Sequence, residues 1–433
     1  MKKICLISLG CAKNRIDSEM ILAMFPADRF VLTNVKEDAD LIIINTCGFI
    51  ESAKKESIDV ILEHASCKGK LVICGCLATR YEEELRKEIP EADLVISINN
   101  YARFAEEIAK LLDEPSIKPL NPLRRILTTS KYSAYLRISE GCNHFCSFCA
   151  IPLIRGRFRS RPFEEILEEA EILKEKGIKE ISVISQDTTI YGNDFKGKRP
   201  NIIDLLKALE AVGFASIRLL YLYPSEISDE LIDTIAQSKV IAHYFDVPIQ
   251  TASNRILKLM HRLDDAKSTR LLLHRIRSRC PDAIIRTTLI AGFSGETKAD
   301  HEKAVSLLKE IKFDHMGVFA YSIEEGTFGA TLPHKVREST KQKRVKELME
   351  VQKEISYELN KARVGQMQTG MVIASDPSRN VYLLRSSYNA PDDIDGEVRF
   401  FSSTELKEGD IVQIRITKAF VYDLEGEFLA KLD

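Results

Sequence analysis

The chain has 433 residues, with 62 Lys or Arg against 64 Asp or Glu, a formal net charge of −2. At 45% hydrophobic and 29% charged residues it has ordinary globular composition, enough for about two to four domains. The balanced charge excludes a basic nucleic-acid-coating surface, and no run reaches the ~18–20 apolar residues of a membrane span. The start passes from Met1-Lys2-Lys3-Ile4 into polar Ser8–Asn14, which is neither a signal nor a transit peptide, so a cytoplasmic location is expected.

Residues 1–115 alternate short apolar runs with helical stretches. Strands are expected at Lys3–Leu9, Asp40–Asn45, Lys70–Gly75 and Leu94–Ile96, and helices over Ser18–Met24, Lys54–His64, Tyr81–Lys87 and Tyr101–Leu112. This α/β alternation implies a parallel sheet covered on both faces, with function at the carboxyl ends of its strands. Pro115, Pro119 and Pro122 mark a linker, 116–127. Over 128–364 the alternation resumes. Strands are expected near Ala134–Ile138, Glu180–Ser185, Ser216–Leu222, Tyr244–Val247, Ile284–Ala291 and His315–Ala320, which suits a partial or full βα barrel of the TIM-like kind. A long Glu- and Lys-rich helix, Ser339–Arg363, closes that stretch. The tail, 365–433, reads as five short strands separated by turns such as Asp395-Gly396, an all-β, OB-like barrel.

Ten cysteines remain to be placed. Cys5, Cys67, Cys74 and Cys280 read as small buried hydrophobes. Cys142, Cys146 and Cys149 form a C-x3-C-x2-C loop after a strand, with Glu140-Gly141 leading in. Three thiolates so close together suit one iron–sulfur cube with one iron left open. The alternative is a structural zinc site, which wants a fourth ligand, and His144 inside the motif is cramped for that. Cys11, Cys47 and Cys76 each lie just past a strand end, where a parallel sheet gathers them at one edge. They could hold a second cluster; separate burial is the alternative.

The C-x3-C-x2-C loop resembles the signature of the radical S-adenosylmethionine (SAM) enzymes. Its flanks, Tyr135–Cys142 and Ile151–Gly156, resemble the methylthiotransferase branch, whose N-terminal cluster domain, radical barrel and C-terminal TRAM domain follow the order read above. The resemblance implies two 4Fe–4S clusters, on Cys11, Cys47 and Cys76 and on Cys142, Cys146 and Cys149. The segments Leu9–Glu19, Asn45–Ala53, Ser185–Gly192 and Asp246–Gln250 are similar to the members that modify a ribosomal protein. They imply β-methylthiolation of one aspartate of the twelfth small-subunit ribosomal protein. A SAM-derived 5′-deoxyadenosyl radical would take the hydrogen, the N-terminal cluster would give the sulfur, and a second SAM the methyl. An electron donor such as flavodoxin or ferredoxin is implied. The competing reading is a tRNA (adenosine) methylthiotransferase, whose relatives usually start Gly-Cys-Gln-Met-Asn. Ala12 stands where the family usually has proline, and a histidine and a proline are common near Thr251 and Asn254.

No catalytic side chain beyond the cluster ligands is singled out. Gln186 and Gln250 are expected polar contacts for SAM. Arg286 opens a strand ending at Gly292 and Gly295, where the backbone could approach the cofactor; a plain βα turn is the alternative. Arg155, Arg157, Arg159 and Arg161 could meet a carboxylate or form a solvated loop. His64, His261 and His301 read as surface residues. From 366 to 433 seven basic residues face twelve acidic ones, a net charge of −5. That argues against direct tRNA binding and complements a basic partner, as ribosomal proteins generally are.

Overall fold

The computed structural model describes every residue except Lys198, Asp393 and Asp433, and of Pro377 only the backbone. The N-terminal strands are β1 (Lys2–Ser8), β2 (Phe30–Leu32), β3 (Leu41–Thr46), β4 (Lys70–Cys74) and β5 (Leu94–Val95). They pair in parallel in the order β2-β1-β3-β4-β5. Central β3 is buried along its whole length, as a strand covered on both faces must be. The cover is α1 (Ala12–Leu22), α2 (Glu51–His64), α3 (Gly75–Arg80), α4 (Glu82–Glu88) and α5 (Phe104–Leu112). Sequence periodicity missed β2, which is only three residues long, and the whole of α3. It also started α1 too late. The first turns of α1 bury polar side chains, Lys13, Asn14 and Asp17, so no apolar stripe announces them.

The next strand, β6 (Ser133–Arg137), is followed by β7 (Ser139–Glu140), α6 (Ile151–Arg155), β8 (Arg159–Ser160) and α7 (Phe163–Glu175). Then come β9 (Glu180–Ile184), α8 (Ile202–Val212), β10 (Ser216–Leu219), α9 (Asp229–Gln237), β11 (Tyr244–Asp246), α10 (Asn254–Leu259) and α11 (Ala266–Arg279). The set ends with β12 (Ile284–Ala291), α12 (Lys298–Ile311), β13 (His315–Ala320), α13 (Phe328–Thr331) and the long α14 (Glu338–Arg363). The barrel strands form two parallel three-stranded halves, β10-β9-β6 and β11-β12-β13. The halves meet at one bridge, Ile217 to Ile241, and at the Leu222 N–H donating to the Asp246 carbonyl at 2.9 Å.

The tail is a closed barrel of β14 (Met367–Asp376), β15 (Val381–Ser386), β16 (Val398–Phe401), β17 (Ile411–Ala419) and β18 (Leu424–Leu432), in the order β14-β15-β16-β18-β17. The chain between β15 and β16 reaches into the larger barrel, onto β6, β10, β11 and β13. There Arg218 Nη2 donates to the Ser386 carbonyl at 2.6 Å, and Tyr244 Oη to Asp395 Oδ2 at 2.7 Å. His315 Nε2 lies 2.7 Å from the Tyr388 carbonyl, and the Tyr135 hydroxyl donates to Asp392.

Within 116–127, Arg125 is buried and joins the first two regions: its guanidinium bonds Glu19 of α1 at 2.6 Å and Glu169 of α7. Cys5, Cys74 and Cys280 are buried as expected, while Cys67 is half-buried. His64 and His301 correct the surface reading. Both lie on inward faces of amphipathic helices and are buried, His64 beside the Val60 carbonyl and His301 beside Glu347; His261 is exposed. Among the described residues no helix is long and apolar enough to cross a membrane.

Candidate functional site

Cys11 is the residue before α1, Cys47 the first after β3, and Cys76 the second of α3, which follows β4 directly. Three neighbouring strands of a parallel sheet end together, so the three thiols face one another. Cys11 is among the charges that raise Cys47 and Cys76, and Cys47 among those that raise Cys76. Cys47 and Cys76 are buried and Cys11 is exposed, so the group opens on one side. The backbone makes room for it. Gly10 has φ +85°, and a Cβ there would stand 2.9 Å from Cys47 Sγ. Gly75, at φ +90°, would drive a Cβ to within 2.3 Å of Asn45 Oδ1. Burial pushes the Cys76 thiol up to about 12 and raises Cys47. Such thiols bind a metal only by giving up their protons to it.

Asn14 ties these strand ends together. Its Nδ2 donates to the carbonyls of Leu9 at 3.1 Å and Thr46 at 2.9 Å, while its Oδ1 accepts from Cys76 Sγ at 3.3 Å. The same Oδ1 accepts from Arg155 Nη2 at 2.5 Å, and that nitrogen is 3.6 Å from Cys76 Sγ. Arg155 ends α6, immediately after the second cysteine loop, so the two constellations share one mouth.

In that loop the Cys149 N–H donates to the Cys146 carbonyl at 2.9 Å, and the Cys142 N–H to the Gly156 carbonyl at 3.2 Å. Phe145 takes φ +47° between them. Burial raises all three thiols, Cys142 to about 11; against it, Arg262 pulls Cys146 down. Arg262 lies 4.0 Å over the Tyr223 ring and pairs with Asp264 at 3.0 Å. His144, the one side chain that could have completed a zinc site, is engaged elsewhere. It stacks on Tyr223 with centroids 3.6 Å apart, and its Nε2 is 2.5 Å from Asp187 Oδ2.

A belt of buried charge joins the two loops. Arg155 Nη1 is 2.8 Å from Asp17 and 3.3 Å from Glu140, and Arg137 reaches the same carboxylates at 2.6 and 3.0 Å. Burial alone would raise Asp17, but the two guanidiniums hold it below the usual carboxylate range. Burial would likewise lower Arg155, yet Asp17 and Glu140 hold it well above its ordinary value. Gln186 Nε2 donates to Glu140 at 2.7 Å, leaving its own Oε1 buried without a partner.

The other sequence candidates sit around the barrel. Gln250 is buried at φ +67°, its backbone bridging to Leu289. Arg286 pairs with Asp246 at 3.2 Å and Asp395 at 3.4 Å. Gly292, at φ +77°, gives its N–H to Glu296 at 3.1 Å, and Lys341 covers the place of a Cβ. Of the arginine run, Arg161 joins Glu165 and Glu169, Arg157 lies over the Phe145 ring, and Arg159 is exposed. Sequence reasoning passed over Lys13, Asn14, Asp17 and Tyr221. Their signal was polar residues in the first turns of a helix whose cap is a cysteine. The Lys13 ammonium is 3.0 Å above the Tyr221 ring; burial lowers it to about 8, against the pull of Cys11 and Asp246.

Comparison with known proteins matches each region. Residues 3–97 fit the uncharacterized protein family UPF0004, 136–308 the radical SAM superfamily, and 364–429 the TRAM domain. The radical SAM methyltransferase TsrM from Kitasatospora setae has a related fold, at TM-score 0.55 and 12% identity over 87% of this chain and 79% of that one. The ribosomal protein uS12 methylthiotransferase RimO of Alkaliphilus oremlandii is 44% identical over 97% of this chain and 98% of its own. That of Aquifex aeolicus is 42% identical over 100% and 98%. At such identity along the whole length, with a six-cysteine mouth between its first two regions, the chain belongs to the RimO family of ribosomal protein uS12 methylthiotransferases, within the radical SAM superfamily.

Proposed function

We propose that the protein replaces one hydrogen on the β-carbon of an aspartate of uS12 with a methylthio group, as a cytoplasmic radical SAM methylthiotransferase. Cys142, Cys146 and Cys149 hold one 4Fe–4S cluster and Cys11, Cys47 and Cys76 the other, each trio leaving one iron without a protein ligand. When bound, the clusters and SAM supply one-electron chemistry at a C–H bond and the sulfur and methyl to place there. The observation that carries this reading is Arg155. It follows the Cys149 loop, yet its guanidinium lies 3.6 Å from Cys76 Sγ, and Cys76 packs with Ala150 and Ile154, so the two cysteine segments adjoin.

The chain's own residues fix positions there. Asn14 and Arg155 hold the Cys76 helix against the barrel loop, and Arg80 adds a latch to Glu324 at 2.8 Å. Gln186, with its free buried carbonyl oxygen, and Gln250 contact SAM. Arg286 acts on it through Asp246, and Gly292 through the turn it permits. The acidic tail barrel meets basic uS12, and a flavodoxin or ferredoxin delivers electrons. Anaerobic reconstitution should give about eight irons per chain. Mass spectrometry of uS12 after incubation with reduced enzyme and SAM should show a gain of one SCH2 unit on an aspartate. Four irons only, or a gain on tRNA with none on uS12, refutes the reading.

A further inference from the structure

The buried cations named at the mouth are all matched to anions except one. Arg137 and Arg155 share Asp17 and Glu140, Arg262 has Asp264, and Arg286 has Asp246 and Asp395. Lys13 is only 7% exposed, yet among the described residues it makes no ion pair within 4.0 Å and its Nζ has no hydrogen bond. Leaving an ammonium in such a place without a carboxylate costs several kcal/mol by general experience, so it is an expensive feature to keep. What holds it is the face of Tyr221, itself in left-handed backbone at φ +64° just beyond the end of β10. Nearby Asp246 cannot neutralise it. Asp246 Oδ2 accepts the Tyr221 N–H at 3.0 Å, and Oδ1 is 3.2 Å from Arg286. Lys13 is thus aimed over the carboxyl ends of β10 and β11, two residues from Cys11, and it keeps three donors for something anionic that enters.

We propose that Lys13 receives the carboxylate of the substrate aspartate and so sets the β-carbon between the two cysteine loops. The inference rests on the function proposed above and adds which group makes an acidic side chain the preferred substrate. A carboxylate on Lys13 places the next carbon one bond away, where it can face both loops. A carboxamide of the same shape forfeits the charge. A charge-assisted bond in a water-poor site is worth about ten- to hundredfold in binding.

The test compares wild type, Lys13→Met and Lys13→Arg as reconstituted holoenzymes, with purified uS12 and with uS12 whose modified aspartate is replaced by asparagine. Binding is read by calorimetry, and turnover as KM and kcat. Wild type should bind the aspartate protein about ten- to hundredfold more tightly than the asparagine protein. Lys13→Met should erase that preference, raise KM on the aspartate protein and leave binding of the asparagine protein within about threefold. Lys13→Arg should restore part of the preference, and iron content should be equal in all three. A Lys13→Met enzyme that still prefers aspartate, that weakens equally on both proteins, or that loses iron overturns the assignment. Wild type failing to modify uS12 at all would instead overturn the function on which it rests.

Discussion

Replacing Arg155 with methionine keeps an unbranched stem of similar length and removes the guanidinium. At 2% side-chain exposure, Arg155 has almost no water to replace what it touches. The substitution strips Asp17 of a 2.8 Å pair, Glu140 of a 3.3 Å pair and Asn14 Oδ1 of a 2.5 Å bond. Breaking a buried pair costs about 3–5 kcal/mol. Here Arg137 still reaches Asp17 at 2.6 Å and Glu140 at 3.0 Å, which puts the loss near the lower end, about 3 kcal/mol. At about 2–4 °C per kcal/mol for a cooperative unit of 150–250 residues, Tm should fall by roughly 6–12 °C. Metal-free chains melted by circular dichroism give that shift, and iron analysis of the reconstituted variant gives the functional one. Arg155→Lys should fall between, because it keeps the charge and loses the fork. An Arg155→Met chain that melts within about 2 °C of wild type and holds as much iron refutes the reasoning that this guanidinium clamps the two loops.

Gly10→Ala should cost about 1–2 kcal/mol for left-handed backbone alone, and more for a methyl 2.9 Å from Cys47 Sγ; the variant should reconstitute with about half the iron, read by chemical analysis and visible absorbance. Arg125→Met leaves Glu19 and Glu169 facing each other inside the protein. It should destabilise by about 3–5 kcal/mol in denaturant titration, with Glu19→Leu/Arg125→Met recovering part of the loss. Asp314 would be raised by burial, but Arg277 and Arg363 hold it below its ordinary 3.8. Its contribution is therefore complete above that value and disappears as pH falls through the lower folded value. Asp314→Asn should make Tm less steep in pH below about 4 while lowering it at neutral pH, and an unchanged slope would remove Asp314 from acid unfolding. Binding of uS12 to the acidic tail barrel should weaken as salt is raised beyond physiological strength, in a pull-down against salt.

What could be read in advance follows from which residues carry local signals. Apolar runs such as Leu41–Ile44 announce buried parallel strands, and the C-x3-C-x2-C loop announces its own chemistry, since all three thiols lie on one short segment. Cys11, Cys47 and Cys76 come together only because β1, β3 and β4 are neighbours, a fact of pairing that no local pattern contains. Their shared glycine neighbours, Gly10, Gly48 and Gly75, were a usable hint, because a Cβ at any of the three would collide across the junction. Lys13, Asn14 and Asp17 were hidden for a different reason. Buried polar residues break the apolar period that reveals a helix, so the segment that packs beside Cys11 was the least helical to the eye. The contact of the β15–β16 connection with Arg218, Tyr244 and His315 joins residues more than seventy positions apart and leaves no trace in either stretch.

The strand wall of the large barrel is knit unevenly. β12 and β13 run side by side over six paired residues, whereas its halves touch between β10 and β11 through one bridge and a few main-chain bonds. Of the paired seams this one has the fewest rungs, so amide exchange should be faster along it than between β12 and β13. Tyr221 stands on this seam and Lys13 rests upon it, so a thinly paired stretch between neighbouring strands lies beneath an ammonium that has no ion pair among the described residues.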